Sequence, residues 1–164
     1  MSKTQQHLKD AFAGESQANR KYLAFAAQAD KEGLATVAKL FRATAEAETI
    51  HAHNHLKAMG GIGSTAENLK GAISGETYEF ETMYPPMLAD AIAEGDKKAE
   101  RAFRLANDAE KVHADLYQKY LDNLDDKAEV EFYLCTVCGY IHENEAPDSC
   151  PICKAAKKAF VNLG

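Results

Sequence analysis

Apolar positions recur at steps of three and four residues through the first three quarters of the chain. From Val37 the steps run through Phe41, Thr44, Glu48, His51 and His55; from Ala99 they run through Phe103, Ala106, Glu110, His113, Tyr117 and Leu121. Leu8, Glu15, Tyr22 and Ala29 lie seven apart. Such spacing predicts amphipathic helices with one stripe turned inward. In each stripe a glutamate occupies a position where an apolar residue belongs. Residues 4 to about 124 are rich in Ala, Leu, Glu and Lys, which favour helix. Gly33 and Gly95 suit left-handed helix ends, Asp96 an N-cap, and Ser64-x-x-Glu67 a capping box.

The breakers divide this region into helices over about 4–32 and 34–59, a crossover over about 60–74 with a short connecting helix, and helices over about 75–94 and 96–124. Two short turns and one long crossover predict a mainly α fold, a ferritin-like four-helix bundle. Pro85-Pro86 should kink or interrupt the third helix. Past Leu124 the chain becomes short-stepped, turn-rich and Cys-bearing. The expected domains are therefore a bundle over 1–126 and a small metal-knuckle domain over 130–164.

Two segments repeat. FRATAEAETIHA around Phe41 and FRLANDAEKVHA around Phe103 align at an offset of 62, and Glu32-Gly33 aligns with Glu94-Gly95 at the same offset. Each copy carries Glu-x-x-His, which places a carboxylate and an imidazole on one helix face. A single glutamate in a chain with 25 acidic residues is usually a solvated surface charge. Two copies on apolar stripes are different, because a buried carboxylate must pair, protonate or bind a cation. Glu15 and Glu76 follow Ala-Gly and Ser-Gly at an offset of 61, as though one residue were lost between the copies. Glu79 lies three positions beyond Glu76 on the same face. Glu15, Glu48, Glu76, Glu79 and Glu110 with His51 and His113 are thus the candidate ligands of a two-metal centre. Carboxylates and imidazoles suit iron or manganese. Tyr22 and Tyr84 are candidates to hydrogen-bond the ligating carboxylates, with ordinary packing as the alternative for each.

All four cysteines lie in the tail as two C-x-x-C pairs, Cys135/Cys138 and Cys150/Cys153, with eleven residues between the pairs. Four thiolates on two turns predict a tetrahedral metal site. Zinc ribbons and one-iron centres share almost this spacing, and the tail alone favours zinc on base rates; beside a two-iron bundle, a redox iron is the better reading, with zinc as a possible substitute. The N-terminus carries no apolar export segment, which fits a cytoplasmic protein with reduced thiols. No run approaches 18 apolar residues, so no membrane span is expected, and a net charge of −6 argues against nucleic acid.

The chain resembles the rubrerythrins. The resemblance is carried by AFAGESQANRKY around Glu15, AETIH at Glu48 and His51, GETYEFETMYP from Gly75, AEKVH at Glu110 and His113, and the CTVCGY and CPIC knuckles, and it covers essentially the whole chain. It implies a diiron peroxidase that reduces hydrogen peroxide to water. Electrons would come through a rubredoxin-like iron from a reductase dependent on reduced nicotinamide, or from rubredoxin, in defence against oxidants. It further implies that Glu48 and Glu110 bridge the irons and that Glu15 holds the first. Glu76 and His113 would hold the second, and Glu79 and His51 would alternate at the first. Lys154 stands where free rubredoxins have Gly, and the loop between the Cys pairs is shorter than theirs. A ferritin-class ferroxidase with a zinc-ribbon tail is the alternative; it has no use for a thiolate electron port.

From Glu110 to the end of the last helix is about 20 Å at 1.5 Å per residue. Unless it folds back along the side, the tail lies beyond that end and far from its own bundle site. This predicts a head-to-tail homodimer with electron transfer between subunits.

Overall fold

The computed structural model describes residues 2–164. Five α-helices precede a small antiparallel sheet: α1 Lys3–Lys31, α2 Ala35–Ala58, α3 Thr65–Tyr78, α4 Tyr84–Glu94, α5 Lys97–Asp122, then β1 Phe132–Cys135, β2 Ile141–Glu143 and β3 Phe160–Asn162. The fold is mainly α, ferritin-like in its helices, and ends in a rubredoxin-like cysteine knuckle. Two compact units divide the chain, Met1–Gly63 and Ser64–Gly164. The tail therefore packs within the same unit as α3, α4 and α5.

The first unit is a helical hairpin. Ser2 caps α1 by accepting from the Gln5 N–H at 3.2 Å, and Gly33, at φ +76°, turns the chain into α2. Between the helices the buried residues are small: Asn19, Ala26 and Ala29 on α1, Ala38, Ala45 and Ala52 on α2. The α2 alanines fall seven apart, one per two turns, and so form a single seam. Asn19, 7 % exposed, fastens it, its Nδ2 donating to the Ala45 carbonyl at 2.7 Å and to Thr49 Oγ1 at 2.8 Å. Tyr22 stacks on Phe41 with ring centroids 6.2 Å apart.

In the second unit the expected crossover over 60–74 needs correction. The capping box is present: the Ser64 hydroxyl accepts from the Glu67 N–H and the Glu67 carboxylate accepts from the Ser64 N–H at 2.8 Å. It opens α3 at Thr65, and the helix runs on through the position where the third bundle helix was expected to begin. Gly71 and Gly75 weaken a helix without breaking it. Only the glycine-rich stretch around residues 60–63 stays non-helical.

The α-helical winding is interrupted just before Pro85-Pro86. A π turn over Glu79–Met83 joins α3 to α4 and places the prolines in the first turn of α4, where a missing N–H is tolerated. The π turn also explains the repeat. The offset is 61 at Glu15/Glu76, before it, and 62 at Tyr22/Tyr84, after it. The extra residue of the second copy sits in the turn. Beyond it Tyr84 meets Phe103 at 6.2 Å between centroids, the counterpart of Tyr22 on Phe41.

Gly95, at φ +72°, ends α4, and Asp96 caps α5 by accepting from the Lys98 and Ala99 N–H groups at 3.0 Å. The sheet has the order β2-β1-β3, with Tyr133 opposite His142 on one side and Asn162 on the other.

The tail does not extend beyond the far end of α5. It folds back along the helix. Lys119 Nζ donates to both Glu143 carboxylate oxygens at 2.6 and 2.8 Å, the Tyr120 hydroxyl donates to the same carboxylate, and Tyr120 packs edge-on against Phe132. The tail is therefore not remote from its own last helix.

Candidate metal centres

The duplicated motifs place two three-residue clusters, one in each unit. In the first unit Glu15 on α1 meets Glu48 and His51 on α2; in the second Glu76 on α3 meets Glu110 and His113 on α5. Within each cluster one ligand atom per residue lies within 4.8 Å of the others. Helical i,i+3 spacing sets the closest pairs. His51 Nδ1 lies 2.9 Å from Glu48 Oε2 and His113 Nδ1 2.7 Å from Glu110 Oε2. Glu76 Oε2 is 3.6 Å from His113 Nδ1.

The second cluster is electrostatically tense. Burial pushes the Glu76 carboxyl above the ordinary range, and the neighbouring Glu110 pushes it the same way. Glu79, at the start of the π turn, is raised by burial and then by the Glu76 charge. Two carboxylates held together without a cation oppose each other's ionisation; a bound cation removes the conflict. Burial also raises the Tyr84 hydroxyl, followed by the charges of Glu110, Glu79 and Glu76. Tyr84 thus lies in the field of the cluster and stays a proton donor. Tyr22 packs against Phe41 and Phe25. Glu79 is a neighbour of the cluster and not one of its three members.

The four cysteines converge. Cys135 Sγ lies 3.6 Å from Cys153 Sγ, and Cys138 Sγ 3.5 Å from Cys150 Sγ. A tetrahedral ion with thiolates at about 2.3 Å requires sulfur separations of about 3.8 Å, so the donors nearly fit before any ion is considered. The two knuckles match. The Cys135 N–H donates to Tyr140 O and the Gly139 N–H to Cys135 O; likewise the Cys150 N–H donates to Ala155 O and the Lys154 N–H to Cys150 O. Gly139 and Lys154 hold the same left-handed position, at φ +81° and +62°. Burial opposes a charged Cys135, but N–H groups of Val137 and Cys138 outweigh it and lower its thiol. Burial raises Cys138 far above the ordinary thiol range, and the crowding of Cys150 adds to it. A cation resolves this conflict among neighbouring thiols.

One contact was not legible in the spacing. His113 Nε2 lies 2.8 Å from the carbonyl oxygen of Gly139, the residue after Cys138. It joins the helical cluster to the cysteine knuckle within the second unit. The partner is a backbone atom, so no side-chain motif announces it.

Paired carboxylate–imidazole clusters on ferritin-like helices, with a four-thiolate knuckle in the same chain, define a non-haem metalloprotein. Residues 6–121 match the rubrerythrin family model and residues 133–161 the rubrerythrin rubredoxin-like domain. The chain belongs to the rubrerythrin family. It is 36 % identical to rubrerythrin-2 of Clostridium acetobutylicum over 96 % of this chain and 95 % of that protein. It is 38 % identical to a rubrerythrin of Porphyromonas gingivalis over 97 % and 89 %. Among solved structures it resembles fully reduced, all-ferrous nigerythrin, with a TM-score of 0.61, 36 % identity, and coverage of 99 % of this chain and 88 % of that one. Among the described residues no helix is long and apolar enough to cross a membrane.

Proposed function

We propose that the protein is a cytoplasmic non-haem diiron peroxidase that reduces hydrogen peroxide to water. Glu15, Glu48 and His51 would hold one iron, with Glu79 as the alternative ligand to His51. Glu76, Glu110 and His113 would hold the other, with Glu48 and Glu110 shared. Cys135, Cys138, Cys150 and Cys153 would hold a third iron. When bound, the irons supply the two electrons that, with two protons, turn one peroxide into two waters, and a reductase or rubredoxin replaces them through the tail. The chain's own groups handle the protons. Glu76 has a raised affinity for a proton, and the Tyr84 hydroxyl remains protonated beside the same carboxylates.

The observation that supports this reading above the ferroxidase alternative is the hydrogen bond from His113 to the cysteine knuckle. A storage protein has no need to fasten a thiolate site to a ligand imidazole. A homodimer is the proposed assembly, on a different ground from the tail's position. The α1–α2 hairpin buries only Asn19 and alanines, while Phe25, Leu40 and Ile50 are 47, 65 and 61 % exposed. Large apolar side chains left open on both helices of the hairpin support a surface that another helical layer covers.

Protein prepared without oxygen should contain three irons per chain and show the red colour of a ferric tetrathiolate. With a reductase present it should turn over peroxide faster than O₂. A colourless zinc-loaded tail with ferrous oxidation by O₂ alone would favour the ferroxidase.

A further inference from the structure

We infer that the Gly139–Tyr140 peptide group is a positioning element for His113, through which the state of the cysteine knuckle sets the metal affinity of the helical cluster. The inference rests on the helical clusters being metal sites. A backbone carbonyl can only accept, so the proton of the 2.8 Å contact sits on His113 Nε2. Nδ1, turned toward Glu110 and Glu76, is left as the ligand nitrogen. A histidine ligand is oriented by what its second nitrogen bonds.

The same peptide group is held from its other end. The Tyr140 N–H donates to the Cys138 sulfur. Cys138 Sγ, the Tyr140 N–H, the Gly139 carbonyl and the His113 ring therefore form one line of two hydrogen bonds across a single peptide. Hydrogen bonds in series strengthen one another. A thiolate fixed by a metal is a stronger and better-placed acceptor than a mobile thiol, so loading the knuckle orients the carbonyl toward His113.

The surroundings preserve the line. His113 is 18 % exposed and borders an apolar pocket of about 250 Å³ lined by Leu116, Tyr117, Phe132, Ile141 and Leu163. Gly139 holds its carbonyl there from a left-handed φ of +81°. His51, the counterpart of His113 in the repeat, is 54 % exposed. Within its own unit the tail clamps the imidazole of the second copy of the motif.

The test uses the full chain with one equivalent of Zn²⁺, which the four thiolates take first. In ¹⁵N-histidine spectra His113 should carry a slowly exchanging Nε2 proton with a coupling to the Gly139 carbonyl carbon. A missing or freely exchanging Nε2 proton overturns the inference, and this arm needs no substitution. Co²⁺ is then titrated into the zinc-loaded wild type and into Cys138→Ser/Cys150→Ser. The variant should bind Co²⁺ at the helical cluster about 10- to 100-fold more weakly. Equal affinity overturns the inference and leaves the metal-centre reading intact. Failure of the wild type to bind Co²⁺ on its helices overturns both.

Discussion

The Tyr120 hydroxyl donates to Oε1 of Glu143 at 2.5 Å and ties the last turns of α5 to β2. Burial alone would raise the Glu143 carboxyl, but Lys119 and Tyr120 outweigh it and hold the group below the ordinary glutamate range. Burial and then Glu143 push Tyr120 up to about 12. Tyr120→Phe should weaken tail docking by about 1.5 kcal/mol, the low end for a hydrogen bond to a charged group, because Lys119 remains. Amide exchange in β1 and β2 measures it.

A pH dependence follows from the same pair. A carboxylate whose folded value is depressed contributes fully above the unfolded glutamate range, about 4.3. That contribution fades as pH falls through the folded value. The stability gap between wild type and Glu143→Gln should therefore be full at neutral pH and shrink in acid below about pH 4. A gap that widens in acid contradicts the assignment; thermal unfolding of both proteins across that range decides it.

Glu76 has the opposite sign. Its folded value is raised, so its favourable contribution is present below the unfolded range and lost as pH rises through the folded value. Glu76→Gln should raise the melting temperature of the metal-free protein at pH 7 and reduce iron uptake by the helices. Glu48→Ala and Glu110→Ala should each abolish peroxide turnover and helical iron while keeping the red tetrathiolate spectrum. Metal analysis, spectra and calorimetry on the same samples separate these effects.

The tail's position predicts the result of a mixing experiment. Glu110 and the knuckle belong to one unit of one chain. A Glu110→Ala chain has a working tail beside a dead cluster; a Cys138→Ser chain has the reverse. Mixed after unfolding and refolded together, they should recover little reductase-coupled turnover. Recovery to a large fraction of wild type would show that electrons cross between chains.

Lys154 occupies a left-handed backbone position at φ +62°. A side chain there costs about 1 kcal/mol relative to glycine. Lys154→Gly should raise the tail's resistance to metal loss by about that amount, less the Nζ hydrogen bond to the Pro151 carbonyl at 2.8 Å. Competition with a chelator reads the difference.

The helices, the turns at Gly33 and Gly95, the Asp96 cap and the two Glu-x-x-His pairs were legible because each is a local pattern. Helical period, left-handed glycine and i,i+3 geometry act over a few residues. The segment over 60–74 was misread because its glycines signal a break, whereas the Ser64–Glu67 box had already nucleated a helix that tolerates them. The tail's fold-back was illegible for another reason. It depends on Lys119, Tyr120 and Glu143 meeting across more than twenty residues of chain, and on a carbonyl that every residue possesses.

The π turn at Glu79–Met83 makes the inequality of the two helical halves a matter of length. One inserted residue adds about 100° of rotation in a regular helix, from 3.6 residues per turn; the wide turn absorbs it locally. Removing a single residue there would restore regular winding and bring both hairpins to one shared numbering offset. Glu79 would then lose the backbone irregularity that distinguishes it from its counterpart in the first hairpin.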